Sequence, residues 1–232
     1  MEFMLLFVAR KDAPSGGPEV PAEMKKYSGE LASQGKLRIG APLRAESEGA
    51  RIRLRGGKPL VTDGPFAESK ELLGGFWVVD VASRDEAIGI ARRCPHTRLG
   101  IVEVRPLEFR MAAADPGKGT PFLYAFRAEP GLEDTDRAKL REMLDFTVTM
   151  KEEGRFLETA PLAAEPRPAR VETRGGKLLV TDGPFAEAKE IVGGYAVLRA
   201  ANRTEAIEIA KRYPHAKWGV VEVREIPFFD PT

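Results

Sequence analysis

The chain has 232 residues, 43% of them apolar and 31% charged, a balance that suits a buried core and excludes a disordered chain. Its 36 basic and 35 acidic residues leave a net charge of +1, which supplies no field for nucleic acid or an anionic membrane. The single cysteine, Cys94, excludes a disulfide framework and a cysteine-cluster metal site.

In chain order, the opening MEFMLLFVARKD holds seven apolar residues behind an acidic Glu2. That run is too short for a signal sequence or a membrane span, so a cytoplasmic location is expected. Phe3–Ala9 instead suits a strand covered on both faces. A helix is predicted over Val20–Gln34, with Val20, Met24, Tyr27 and Leu31 on one face and Gly35 as its C-cap. A strand follows at Leu37–Leu43. Arg51–Arg55 and Lys58–Thr62 flank Gly56-Gly57, a two-residue hairpin turn whose glycines accept positive φ. Phe76–Val81 is a second continuous apolar strand. Ser83 and Glu86 form a capping box for a helix carrying Ala87, Ile88 and Ala91 on its apolar stripe and ending at Pro95. Leu99–Pro106 closes the series.

The whole series then recurs. GKPLVTDGPFAESKELLGGF returns as GKLLVTDGPFAEAKEIVGGY at an offset of 119 residues, and about 34 of the 55 positions from Arg51 to Arg105 are identical in the second copy. The same offset pairs Phe3 with Phe122, Met24 with Met143 and Gly35 with Gly154. The chain is therefore a tandem duplication, residues 1–110 and 121–232, joined by a linker over 111–120. Each copy reads β-α-β-β-α-β with an extra hairpin before the third main strand, the ferredoxin-like order of an α+β fold. Its first and third strands are apolar on both faces, so the helix-free face of each sheet needs a cover. Packing the two copies sheet to sheet, as an intramolecular pseudo-dimeric α/β barrel, supplies one.

Four sets of residues could carry chemistry. Asp63 and Asp182 each precede Gly-Pro, so the amide with which a turn aspartate normally bonds is missing; each must cap another loop, meet a cation or hold a ligand. His96 and His215 are the only histidines and occupy equivalent positions. They either cap the preceding helix or work with the aspartates as a general acid and base. In Leu99–Arg105, strict alternation sets Val102 and Val104 against Ile101, Glu103 and Arg105. If the valines face the helices, Glu103 and Arg105 point to the opposite sheet, as do Glu222 and Arg224. They then form either structural ion pairs or a pocket for a small polar or anionic molecule. Glu68, Lys70 and Glu71, recurring as Glu187, Lys189 and Glu190, read as a solvated loop. Trp77 opposite Ala196, Leu99 opposite Trp218, and Cys94 opposite Tyr213 imply that the halves pack differently and that one alone holds a competent site. No phosphate loop, dinucleotide fingerprint, nucleophile elbow or metal-ligand spacing is present, so neither cofactor nor metal is expected.

VTDGPFAESKE, then GGFWVVD, a helix ending in CPH, and GIVEVRPL resemble the YCII-related family, in its DGPF-domain branch, over nearly all of each half. The resemblance implies the dimeric α/β-barrel fold and a chain that is a monomeric pseudo-dimer or a homodimer. For the small-molecule ligand that the strand charges suggest, the resemblance offers two settings. One is a regulatory binding protein linked to an extracytoplasmic-function sigma factor. The other is a cofactor-independent lyase or isomerase using a His–Asp dyad. The family's dyad histidine lies on the first helix; here that helix has none, and His96 and His215 are the available substitutes.

Overall fold

The computed structural model describes residues 1–10, 19–66, 71–114, 117–128, 137–163, 168–183 and 191–231. The first repeat runs β1 (Glu2–Arg10), α1 (Glu19–Ser33), β2 (Leu37–Pro42), β3 (Ala50–Arg55), β4 (Lys58–Asp63), β5 (Glu71–Asp80), α2 (Arg84–Arg93) and β6 (Gly100–Pro106). After a short β7 (Met111–Ala112), the second repeats it as β8 (Thr120–Ala128), α3 (Arg137–Glu152), β9 (Phe156–Pro161), β10 (Ala169–Arg174), β11 (Lys177–Asp182), β12 (Ile191–Ala200), α4 (Arg203–Arg212) and β13 (Val220–Glu225). A final β14 (Asp230–Pro231) pairs with β2. Glu68, Lys70, Glu187, Lys189 and Glu190 lie outside the described residues.

Local chemistry accounts for the helix ends. The Ser83 side chain accepts from the Glu86 amide at 3.2 Å while the Glu86 carboxylate accepts from the Ala82 amide at 2.8 Å. Asn202 and Glu205 repeat the first contact at 3.0 Å. Both hairpins turn on glycine pairs with positive φ, 56° and 75° at Gly56-Gly57 and 54° and 75° at Gly175-Gly176.

The two sheets are antiparallel, and the four helices among the described residues pack on their outer faces, an α+β architecture. Within each repeat the main strands take the order β6-β1-β5-β2 and β13-β8-β12-β9. Successive residues of β1 divide between two cores. Phe3, Leu5 and Phe7 join Tyr27, Leu31 and Ala91 beneath the helices. Met4, Leu6 and Val8 join Leu123, Ala125, Tyr195 and Val197 of the other repeat. The helix-free faces therefore meet, and the all-apolar pattern of β1 and β5 follows from cover on both sides.

The hairpins do not stay with the repeat that encodes them. Here β3 pairs with β13, and β10 pairs with β6, with Ala50 opposite Val223 and Ala169 opposite Val104. Each sheet thus has seven strands among the described residues, β11-β10-β6-β1-β5-β2-β14 and β4-β3-β13-β8-β12-β9-β7. Ala50 and Ile52 are buried in the second repeat's helix-side core, and Ala169 and Val171 in the first's. The linker also crosses, since β7 pairs with β9.

Candidate functional site

Alternation in β6 and β13 turns the valines toward the helices and Glu103, Arg105, Glu222 and Arg224 toward the opposite sheet. There the exchanged hairpins meet them. Glu222, fully buried, accepts from Arg127 Nε at 2.7 Å, Arg51 Nε at 3.0 Å and Arg224 Nη1 at 3.3 Å. Burial alone would raise its carboxyl, but the charges of Arg127, Arg51 and Arg224 outweigh that and hold it below the ordinary glutamate range. Glu103 accepts from Arg170 Nε at 3.1 Å and Arg105 Nη1 at 3.3 Å, and Arg170 also forks onto Glu71 at 2.9 and 3.2 Å. The partners Arg51 and Arg170 arrive only through the hairpin exchange, and Arg127 stands where the first repeat has Val8. A cavity of about 40 Å³ touches Leu6, Val8, Glu103, Arg127 and Arg170, room for little more than water. Around this small cavity Glu103, Arg127 and Arg170 are held in ion pairs rather than arranged around a ligand-sized space; Arg105 alone of the four strand charges reaches a larger one.

The aspartates and histidines are kept apart. Asp63 is exposed and hydrogen-bonds Arg203, the first residue of α4, whose guanidinium also donates to the carbonyls of Glu48 at 2.8 Å and Gly49 at 3.0 Å. Asp182 bonds Arg84, the first residue of α2, in the same way. His215 follows the far end of α4 and His96 the far end of α2. A ten-residue helix, about 15 Å long, therefore lies between Asp63 and His215, and another between Asp182 and His96. Because the hairpin crosses to the other sheet, the loop openings of one repeat do not gather Asp63 with its own His96. Both histidines are nearly buried. His215 Nε2 donates to the Arg127 carbonyl at 2.9 Å, and its ring lies 5.3 Å from Phe126; a Cβ on Gly219 would run into both that nitrogen and that carbonyl, so only glycine fits there. His96 stacks on Phe7 at 5.2 Å, and its buried Nε2 makes no hydrogen bond of normal geometry. Burial holds its imidazole below the ordinary histidine range, with the Val8 carbonyl opposing. Cys94 is sealed in the core, and burial pushes its thiol up to about 12, which leaves it inert at neutral pH.

A space large enough for a ligand lies elsewhere. Beneath α3, a cavity of about 300 Å³ is bounded by Phe126, Met143, Leu144, Thr159, Ile191 and Trp218, with Arg105 entering from the first repeat. Three paired differences between the copies lie at or beside it. In the first repeat the Trp77 indole packs edge-on against Phe7 at 5.0 Å, on Tyr27 at 5.7 Å, and against the backbone at Gly40. In the second, Ala196 replaces Trp77. Phe126 and Thr159, the counterparts of Phe7 and Gly40, now face empty space. Tyr213 takes up part of the room from the helix side, 4.5 Å from Phe146 and 4.8 Å from Phe126, where the first repeat has Cys94. Of the residues singled out in the sequence, this cavity gathers Arg105, His215 and Trp218. Lys139, Thr159 and Met143 carry no local signal, but the Trp77/Ala196 mismatch marks the place.

A model of the YCII-related domain matches the chain twice, over residues 1–110 and 120–230. An uncharacterized protein of Rhizobium meliloti (strain 1021) is 41% identical over 91 residues, covering 38% of this chain and 70% of that one. The solved structure of a novel heme-binding protein from Thermus thermophilus aligns over 97% of this chain and 90% of its own, at 12% identity and a TM-score of 0.39, a likeness too weak to carry a ligand across. Among the described residues no helix is long and apolar enough to cross a membrane, and no cluster of metal-ligating side chains occurs. With both halves matched and the duplicated strand order in place, this chain belongs to the YCII-related family, as a tandem pair of its domains in one polypeptide.

Proposed function

We propose that the protein is a binding protein for a small, largely apolar molecule held beneath α3 of the second repeat, rather than between the sheets. The supporting observation is the cavity of about 300 Å³, the size at which small-molecule sites begin, lined by Phe126 and Thr159, whose counterparts in the sister repeat, Phe7 and Gly40, pack against an indole. A regulatory role beside an extracytoplasmic-function sigma factor is the setting that the family resemblance suggests for such a binder. The acid–base lyase or isomerase reading needs an aspartate within reach of a histidine, and the helix between each candidate pair argues against it.

The test is a thermal-shift screen of a metabolite library on the intact chain, repeated on Ala196→Trp/Thr159→Gly/Tyr213→Cys. That variant builds the first repeat's packing into the second. Hits are expected to stabilise the native chain, to leave the variant unmoved, and to be recovered chemically unchanged. Equal stabilisation of the variant, or turnover of every hit, refutes the reading.

A further inference from the structure

The cavity wall is mostly hydrocarbon, from Phe126, Leu140, Met143, Leu144 and Ile191, but its polar groups are unevenly signed. Arg105, Lys139 and His215 line it, whereas Glu108 is the only acid among the described lining residues, and it is exposed at the rim. Arg105 is 2% exposed, so its charge is set deep in the wall. Among the described residues its hydrogen bonds leave from Nη1 alone, to Glu103 at 3.3 Å and to the Val192 carbonyl at 3.2 Å. Nε is buried with no acceptor, and Nη2 has none either. The Nε–Nη2 edge is one of the two faces by which a guanidinium takes a carboxylate with parallel bonds. Its sister, Arg224, differs: Nη2 donates to the Arg44 carbonyl, and its stem packs on Gly49. The residue matching Arg44 is Ala163, and no such bond forms there. A second donor lining the cavity, Trp218 Nε1, is also buried without a partner, and the Lys139 ammonium stands over the Trp218 ring at 5.4 Å. Buried donors without acceptors are costly, and an anion on Arg105 would relieve that cost there.

Resting on the binding reading above, we infer that the molecule this cavity takes is an apolar carboxylate, its hydrocarbon body under α3 and its carboxylate on the open edge of Arg105. The first repeat thereby supplies the residue that selects the ligand held in the second.

The probes are 4-phenylbutyrate and 4-phenylbutan-1-ol, which share a skeleton and differ in the charged end. Binding is read by Trp218 fluorescence in the full-length Trp77→Phe chain, where Trp218 is the sole tryptophan. The acid is expected to bind about tenfold or more tighter than the alcohol. Arg105→Gln should bring the two to near parity by weakening the acid alone. Arg105→Lys keeps the charge in the ion cluster, and so the fold, yet loses the fork and should erase most of the preference. Acid and alcohol binding equally, with both lost in Ala196→Trp/Thr159→Gly/Tyr213→Cys (where the added tryptophan requires binding to be read by calorimetry), would overturn the carboxylate assignment and leave the site standing. Neither probe altering Trp218, or both binding the filled variant unchanged, would overturn site and assignment together.

Discussion

Burial penalises every carboxylate, and the neighbours decide whether the penalty is overcome. At Glu222 three guanidinium groups overcome it; at Glu158 the single guanidinium of Arg110 does not. Glu158 is nearly buried, accepts from the Tyr195 hydroxyl and from Arg110 Nη1 at 2.9 Å, and burial still keeps its carboxyl above the ordinary range. The two groups therefore pull stability in opposite directions with pH. Glu222, with a depressed folded pKa, contributes stability that is present above the unfolded value of about 4.3 and lost as pH falls through the folded one. Glu158, raised in the fold, contributes a term that weakens as pH climbs from about 4.3 through its folded value. Glu222→Gln strands three arginines and is expected to cost about 3–5 kcal/mol at neutral pH, with the acid-side loss of stability flattened. Urea unfolding of both chains from pH 3 to 7 measures this, and an unchanged midpoint at pH 7 would refute it. At this scale the sequence showed that the charges of β6 and β13 face inward, because a period of two fixes the face. It could not show their partners, of which the hairpin arginines Arg170 and Arg51 lie 67 and 171 residues from Glu103 and Glu222 along the chain.

At the scale of elements, the hairpins themselves were legible: Gly56-Gly57 and Gly175-Gly176 between alternating runs specify the turn. Which sheet they join was not, because an edge strand offers the same row of amides and carbonyls to any neighbour. The choice falls to side chains, with Ala50 and Ile52 completing one helix-side core and Arg51 the opposite ion cluster. The helix–strand packing shows the complementary lesson. Trp77 with Cys94, and Ala196 with Tyr213, fill similar space from opposite directions. Ala196→Trp alone should overpack the second repeat by about 1–3 kcal/mol, and Tyr213→Cys alone should open a hole costing about 3 kcal/mol or more. Together they should cost less than their sum, with a coupling of about 1–3 kcal/mol. A double-mutant cycle by chemical denaturation measures that coupling, and strict additivity would refute the exchange.

At the scale of the whole molecule, the repeats are interlocked. Each sheet takes a two-stranded hairpin from the other half, the first sheet takes β14 from it as well, and the linker strand β7 joins the second. Neither repeat holds all of its own edge, so the chain should unfold in a single transition, coincident by near- and far-ultraviolet circular dichroism. A fragment of residues 1–112 should self-associate by trading hairpins between copies and sediment as a dimer; a native-like monomer would refute the interlock. The sequence by itself determined the duplication, the order of elements and the facing of the two sheets, because these follow from internal repetition, periodicity and local turn chemistry, and its motifs carried the resemblance to the family. Only the tertiary structure decided the exchange of hairpins, the separation of Asp63 and Asp182 from the histidines, and the cavity beneath α3. Each of those depends on which distant side chains fill the same volume, a property that no local pattern in the chain encodes.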